Sequence, residues 1–111
     1  MKKEEKNLYA AKAKIFKALG HPTRLWITEK LGQGECCVCN LVEPLSADFS
    51  TVSKHLSVLK EAGIVEDEKR GKQVYYSLKV PCILSFMSCV EDVIENRARE
   101  QLGLLGSRKI A

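Results

Sequence analysis

The run from Ser50 to Gly63, with the thirteen or so residues after it, constrains this chain more than any other stretch. At 3.6 residues per turn, Val52, Leu56 and Leu59 fall on one stripe of a helix, spaced i, i+4, i+7. Ser50, Thr51, Ser53, Lys54 and Ser57 fall mostly on the opposite arc. A face that only meets water more often carries Glu and Lys in salt-bridging pairs. Serine and threonine are mediocre helix formers, so spending them along one face asks for a reason. Short hydroxyls with one lysine suit a helix lying in the major groove of DNA and touching base edges. A merely solvated face is the bland alternative. Upstream, a short helix and a turn precede this one; downstream, a two-stranded hairpin follows.

The rest of the composition sets the frame. With 111 residues, 45% hydrophobic and 29% charged, the chain reads as a single small globular domain over residues 1–102, with 103–111 a frayed tail. The net charge of +4 is compatible with nucleic acid without proving it. No apolar run approaches the roughly 18 residues of a membrane helix. The charged start, Met1-Lys2-Lys3-Glu4-Glu5-Lys6, is followed by no apolar core of a signal peptide. A cytoplasmic protein is the expectation, with its five cysteines reduced and their odd number arguing against a closed disulfide framework.

In chain order, a first helix is expected from about Glu4 to Leu19, with Leu8, Ala11, Ile15, Phe16 and Leu19 as its apolar stripe and Gly20 as its stop. Such a terminal helix must pack on something, and a partner subunit is one candidate. His21-Pro22 opens a second helix, proline suiting its first position. Leu25, Thr28 and Leu31 are expected to face inward, with Trp26 or Ile27 flanking. Pro44 and Ser46-Ala47-Asp48 read as the turn before the groove-facing helix, Ser46 or Asp48 capping it. Glu66 through Leu78 reads as a hairpin with a tight turn at Arg70-Gly71-Lys72. Lys69, Arg70 and Lys72 crowd its tip, and beside a groove-reading helix they suit phosphate contacts.

Three thiols within four residues, Cys36, Cys37 and Cys39, are expected at the start of a third helix. A helix N-terminus favours thiolate, and thiolates bind soft metals and metalloids. On an ideal helix Cys36 and Cys39 share a side, but Cys37 and Cys39 point about 200° apart. All three converge only if the first turn is loosened. A structural zinc site would need a second ligand pair that is missing here. Packing as small apolar residues is the alternative.

The last helix, Cys82 to about Gln101, carries two adjacent apolar stripes: Cys82, Phe86, Cys89, Val93 and Ile83, Met87, Val90, Ile94. That is more apolar face than a small domain buries, which argues for a homodimer. Cys82 and Cys89 lie roughly 10 Å apart along the axis, too far to share an ion within one chain. Across an antiparallel pair, Cys82 of one chain and Cys89 of the other form a second, weaker candidate site; plain interface packing is the alternative.

Leu19-Gly20-His21-Pro22-Thr23-Arg24-Leu25, Cys37-Val38-Cys39-Asn40-Leu41, Val52-Ser53-Lys54-His55-Leu56, Ala62-Gly63-Ile64-Val65 and Arg70-Gly71-Lys72 with Tyr75-Tyr76 together resemble the ArsR/SmtB family of winged-helix repressors. The resemblance implies a mainly α, homodimeric winged helix-turn-helix in the order α-α-α-α-β-β-α, with the first and last helices at the interface. It implies binding to palindromic operator DNA, with no membrane partner, no organic cofactor and no enzymatic activity. The signature at Glu35 to Leu41 resembles the arsenical-responsive branch, which makes Cys37 and Cys39 the core ligands for As(III) or Sb(III) as inducer. On that reading Ser50, Thr51, Ser53, Lys54, His55 and Ser57 touch bases and nearby phosphates, and Lys69, Arg70 and Lys72 touch backbone from the wing.

The chain departs from that pattern in places. Val42 stands where a third cysteine often does, which leaves Cys36 to supply a third thiolate. Phe49 stands where glutamine is frequent. The last helix lacks the Asp/His/Glu set of the zinc-sensing branch. Three other readings stay open: a Cd/Pb sensor on this scaffold, a thiol redox sensor pairing Cys36–Cys39 or Cys82–Cys89 across a dimer, and a winged-helix module for protein partners. A small thiol reductase has no βαβ setting here.

Overall fold

A computed structural model describes residues 1–110, with side chains described through residue 103. Its elements are α1 (Lys3–Leu19), α2 (Pro22–Gly32), β1 (Cys36–Cys37), α3 (Val38–Leu45), α4 (Phe49–Glu61), β2 (Val65–Arg70), β3 (Gln73–Leu78) and α5 (Cys82–Ile110). The chain divides into two compact units, Met1–Val80 and Pro81–Ala111.

In the first unit the core forms where α2, α3 and α4 meet the root of the hairpin. Ile27 and Leu31 of α2, Leu41 of α3, and Val52, Leu56 and Leu59 of α4 are buried together with Ile64 and Val65. Each aliphatic side chain so buried is worth about 1.5–3 kcal/mol. The α4 stripe is thus the one its spacing predicts. In α2 Thr28 and Leu31 are buried as expected, but Leu25 is 39% exposed and Ile27, expected only to flank, is fully buried. The buried Thr28 hydroxyl is satisfied by donating to the Arg24 carbonyl at 2.8 Å. Arg24 Nε in turn donates to the Ala18 carbonyl, one of the orphan acceptors at the end of α1.

The α3–α4 connection is shorter than expected. Pro44 lies inside α3, and the chain turns at Ser46, whose φ of 49° is left-handed. Asp48 then caps α4, its carboxylate accepting the Thr51 N–H at 2.8 Å. That bond, with Ser50 adding a second donor, holds the Asp48 carboxyl below its ordinary pKa.

β2 and β3 pair antiparallel from Val65↔Leu78 to Arg70↔Gln73. Gly71 takes φ 63° in the two-residue turn between them, a conformation glycine adopts without steric cost. The other edge of β3 carries β1, with Cys36 opposite Tyr76 and Cys37 opposite Tyr75, so the sheet runs β1-β3-β2. This third strand was not expected, since two residues are too few for an alternating pattern. Gly34 at φ 150° releases the chain from α2 into it.

The second unit is α5. It runs to Ile110, past the expected end near Gln101 and through the segment from 103 expected to fray; Ala111 lies outside the described residues. Gly103 does not end it, since a glycine inside a helix costs only about 1 kcal/mol. Among the described residues no helix is long and apolar enough to cross a membrane.

Candidate thiol centre and nucleic-acid interface

The strand-to-helix change at Cys37 resolves the awkward spacing of the thiols. Cys37 is not in α3 but is its N-cap, at φ −84° and ψ 164°, while Cys39 is the second residue of the helix. Extended backbone at Cys37 swings its side chain round to Cys39, with the two Cα atoms 5.3 Å apart and the two sulfurs joined in a disulfide. Asn40 Oδ1 accepts the Cys37 backbone N–H at 3.3 Å, the returning arm of a capping box. The pair therefore sits at the positive end of the α3 dipole, which favours anionic sulfur once the bond is reduced. Cys37 is buried and Cys39 exposed.

Cys36 does not join them. It is the neighbouring strand residue, and successive strand side chains point to opposite faces; its Sγ donates to the Gly34 carbonyl at 3.6 Å. Among the described residues no group of three His, Cys, Asp or Glu side chains is placed to hold a metal ion. The expected convergence of Cys36, Cys37 and Cys39 is thus replaced by a two-sulfur site. Cys82 and Cys89 are exposed and unbonded on α5, and a helix alone keeps them about 10 Å apart along its axis.

The sulfur pair opens on a cleft of about 210 Å³. Its other walls include Phe49 and Ser53 from the first turns of α4 and Lys72, Val74 and Tyr76 from the wing. One cavity thus joins the thiols to both candidate DNA-reading elements. A second link ties the same segment to the wing: Arg70 grips both carboxylate oxygens of Glu35, at 2.5 and 2.9 Å. This pairing lowers the Glu35 pKa and, with Glu68, raises that of Arg70. The guanidinium also lies 4.7 Å from the Tyr75 ring centroid.

Along α4, Ser50, Thr51, Lys54 and Ser57 are exposed, and Ser53 is half-buried at the cleft. His55 departs from the expected contact face. It packs inward, its ring centroid 4.6 Å from that of His21 and its Nδ1 3.4 Å from Arg24 Nη1. Burial first, then the neighbouring His21 and Arg24 charges, depress the His55 pKa. The wing tip is less basic than its sequence suggests. Lys69 and Lys72 remain exposed, but Arg70 is spent on Glu35 and Glu68, and Glu66, Asp67 and Glu68 line β2. Sequence reasoning gave Glu35, Asn40 and Phe49 no role in the thiol site, although it set the first two in the signature stretch and the third where glutamine is frequent. Only Asn40 left a signal, as a polar residue three positions after a helix-capping one.

A family model described as "Bacterial regulatory protein, arsR family" matches residues 21–67. An HTH-type transcriptional regulator of Methanocaldococcus jannaschii is 37% identical over 86 residues, covering 77% of this chain and 97% of that protein. This chain belongs to the arsR family. Its relatives are transcriptional regulators, not enzymes. The fold agrees: the crystal structure of Rv0081 from M. tuberculosis superposes with a TM-score of 0.76 at 30% identity, over 86% of this chain and 96% of that one. A homodimeric winged helix-turn-helix DNA-binding domain from Mycobacterium bovis gives 0.77 at 26% identity, over 90% and 93%. The metal-resistance relatives match over less of their length. The cadmium resistance regulator CadC homolog of Staphylococcus aureus is 46% identical over 60% of this chain and 55% of its own. The arsenical resistance operon repressor of Escherichia coli is 43% identical over 58% and 56%. The chain thus spans about half the length of these two.

Proposed function

We propose that this arsR-family protein is a homodimeric repressor of a palindromic operator, released when Cys37 and Cys39 ligate As(III) or Sb(III). One observation carries the reading. Two sulfurs meet at a helix N-terminus on a cleft whose far wall is the start of α4. A thiophilic centre fits that donor set, provided the disulfide is first reduced.

Dimerisation is supported by apolar side chains left exposed on each end helix, Leu8 and Ile15 on α1 and Val93 and Ile94 on α5. In the dimer, two α4 helices enter successive major grooves roughly 34–36 Å apart. Ser50, Thr51, Lys54 and Ser57 face the DNA, with Lys69 and Lys72 at the backbone. Ligation fixes the spacing of Cys37 and Cys39 and so the first turn of α3. Because Cys37 also pairs with Tyr75 of the wing, the change shifts α4 and the wing relative to each other. By linkage, DNA then weakens effector binding by the factor that effector weakens DNA binding.

The 46% identity to a cadmium resistance regulator favours a second reading, Cd(II) or Pb(II) at the same sulfurs. Titrating the protein–operator complex in parallel with arsenite, antimonite, cadmium, lead, zinc and hydrogen peroxide tests both. Release by arsenite or antimonite at the lowest concentration is the expected result. Release by cadmium or lead alone moves the assignment to the second reading, and release by peroxide alone removes both.

A further inference from the structure

The thiol segment is tied to the wing at two places. The first is the β1 ladder, where Cys36 lies opposite Tyr76 and Cys37 opposite Tyr75. The second is the ion pair of Glu35 with Arg70, residues thirty-five positions apart in the chain. Glu35 immediately precedes β1, and Arg70 is the last residue of β2. Because β3 lies between those two strands, the pair reaches across the whole sheet, from the base of the thiol segment to the tip of the wing. We propose that this pair passes the state of the Cys37–Cys39 site to the wing tip, with Glu35 and Arg70 as positioning residues. The inference rests on the proposed effector-released repression.

The geometry suits a mechanical link. Arg70 gives one N–H to each Glu35 oxygen, at 2.5 and 2.9 Å. A two-point contact from a planar fork fixes orientation as well as distance, so moving one partner moves the other. The guanidinium also stacks on Tyr75, the residue that pairs with Cys37. Ligation that resets the spacing of Cys37 and Cys39 shifts the backbone at Cys37, and Glu35, two residues upstream, moves with it. Arg70 follows, and with it the turn that bears the exposed Lys69 and Lys72. Both lysines then lose their places on the DNA backbone.

Glu68 separates this role from simple support of the hairpin. Its carboxylate accepts from Arg70 Nη2 at 2.9 Å, from within the same strand. Without Glu35 the guanidinium stays held by Glu68, so the hairpin keeps its shape and Arg70 is not released to DNA. What is lost is the contact between the wing and the thiol segment.

The test measures a coupling factor, the ratio of operator affinities without and with saturating effector. It uses the full chain, reduced with a phosphine and freed of it, on labelled DNA from its own promoter. Arsenite is the probe, replaced by cadmium if cadmium alone releases the wild type. Glu35→Gln keeps the side chain's size and removes its charge. It should leave operator affinity without effector, and effector affinity without operator, within about twofold, while lowering the coupling factor at least threefold. Arg70→Gln breaks the same pair from the wing side and should lower the factor to a similar extent. The double change should lower it no further than either single one, because both remove one contact. A pair that only braced the fold would move the urea midpoint and leave this ratio alone. Should Glu35→Gln fold poorly, Arg70→Gln decides alone. A coupling factor lowered less than threefold, losses that add in the double variant, or loss of effector binding itself in Glu35→Gln would overturn the inference and leave the proposed function standing. A wild-type factor of one with both arsenite and cadmium would overturn both.

Discussion

The chain carries two pairs of cysteines that both read as candidate ligands in the sequence and differ entirely in the backbone that holds them. Cys37 and Cys39 share a junction between a strand and a helix, and one extended residue brings their sulfurs together. Cys82 and Cys89 share one long helix, exposed, with two helical turns between them. The first pair has a seat: a capping Asn40, a strand anchored on β3, and a cleft reaching α4. The second pair is unbonded, each thiol free and exposed on the helix. A site is made by the change of backbone that makes side chains converge, more than by the number of thiols in a stretch.

The sharpest way to break that contrast is to remove each pair in turn. Cys37→Ser or Cys39→Ser should leave operator affinity within about twofold and raise the arsenite needed for release by more than about a hundredfold, since one thiolate cannot chelate. Cys82→Ser with Cys89→Ser should leave both within about twofold. A gel shift across an arsenite series reads all of these, and a response lost with the α5 pair would reverse the assignment.

A similar contrast separates the two basic elements. Lys54 is exposed on α4, so Lys54→Ala should weaken operator binding about tenfold at fixed salt and flatten the salt slope by about one. Arg70 is already held by Glu35 and Glu68, and exposed ion pairs are worth only about 0–1 kcal/mol. Arg70→Ala should therefore change affinity less than about threefold, measured by anisotropy in the same salt series.

The seat itself can be loosened. Asn40→Ala removes the arm that caps α3 and should cost about 1 kcal/mol of stability in urea unfolding. It should also weaken arsenite response more than the α5 cysteine double change does.

The smallest effect is expected with pH. The folded state depresses the His55 pKa, so the native state binds fewer protons than the unfolded chain. Its contribution is present above the ordinary histidine pKa of about 6.5 and is lost as pH falls below it. Stability should decline on acidification from pH 7 toward 5, and His55→Gln should flatten that part of the curve. A curve unchanged by the substitution would remove His55 as the cause.

The helical wheel made the buried side of α4 legible, because Val52, Leu56 and Leu59 have no other stripe to occupy. The hairpin was legible for a similar reason: glycine between charged residues and alternating apolar ones admits few other folds. What the sequence could not show is tertiary. β1 exists because β3 offers an edge, and no local pattern in Cys36-Cys37 announces it. Leu25 looked like an inward residue, but Ile27 takes the buried position beside Thr28 and Leu31. Arg70 looked like a phosphate ligand because its partner Glu35 lies thirty-five positions away. The cleft depends on Phe49 and Val74 meeting the thiols across three elements, a meeting only the fold arranges.

The account turns on one coupling, between sulfur ligation at Cys37–Cys39 and the reading of DNA by α4. Its most direct measurement is the affinity of the reduced protein for arsenite, taken with and without saturating operator. The account predicts that operator weakens arsenite binding by the same factor as arsenite weakens operator binding, and that both factors fall to one in Cys37→Ser. Arsenite binding at these two sulfurs with equal affinity in the presence and absence of operator would contradict it.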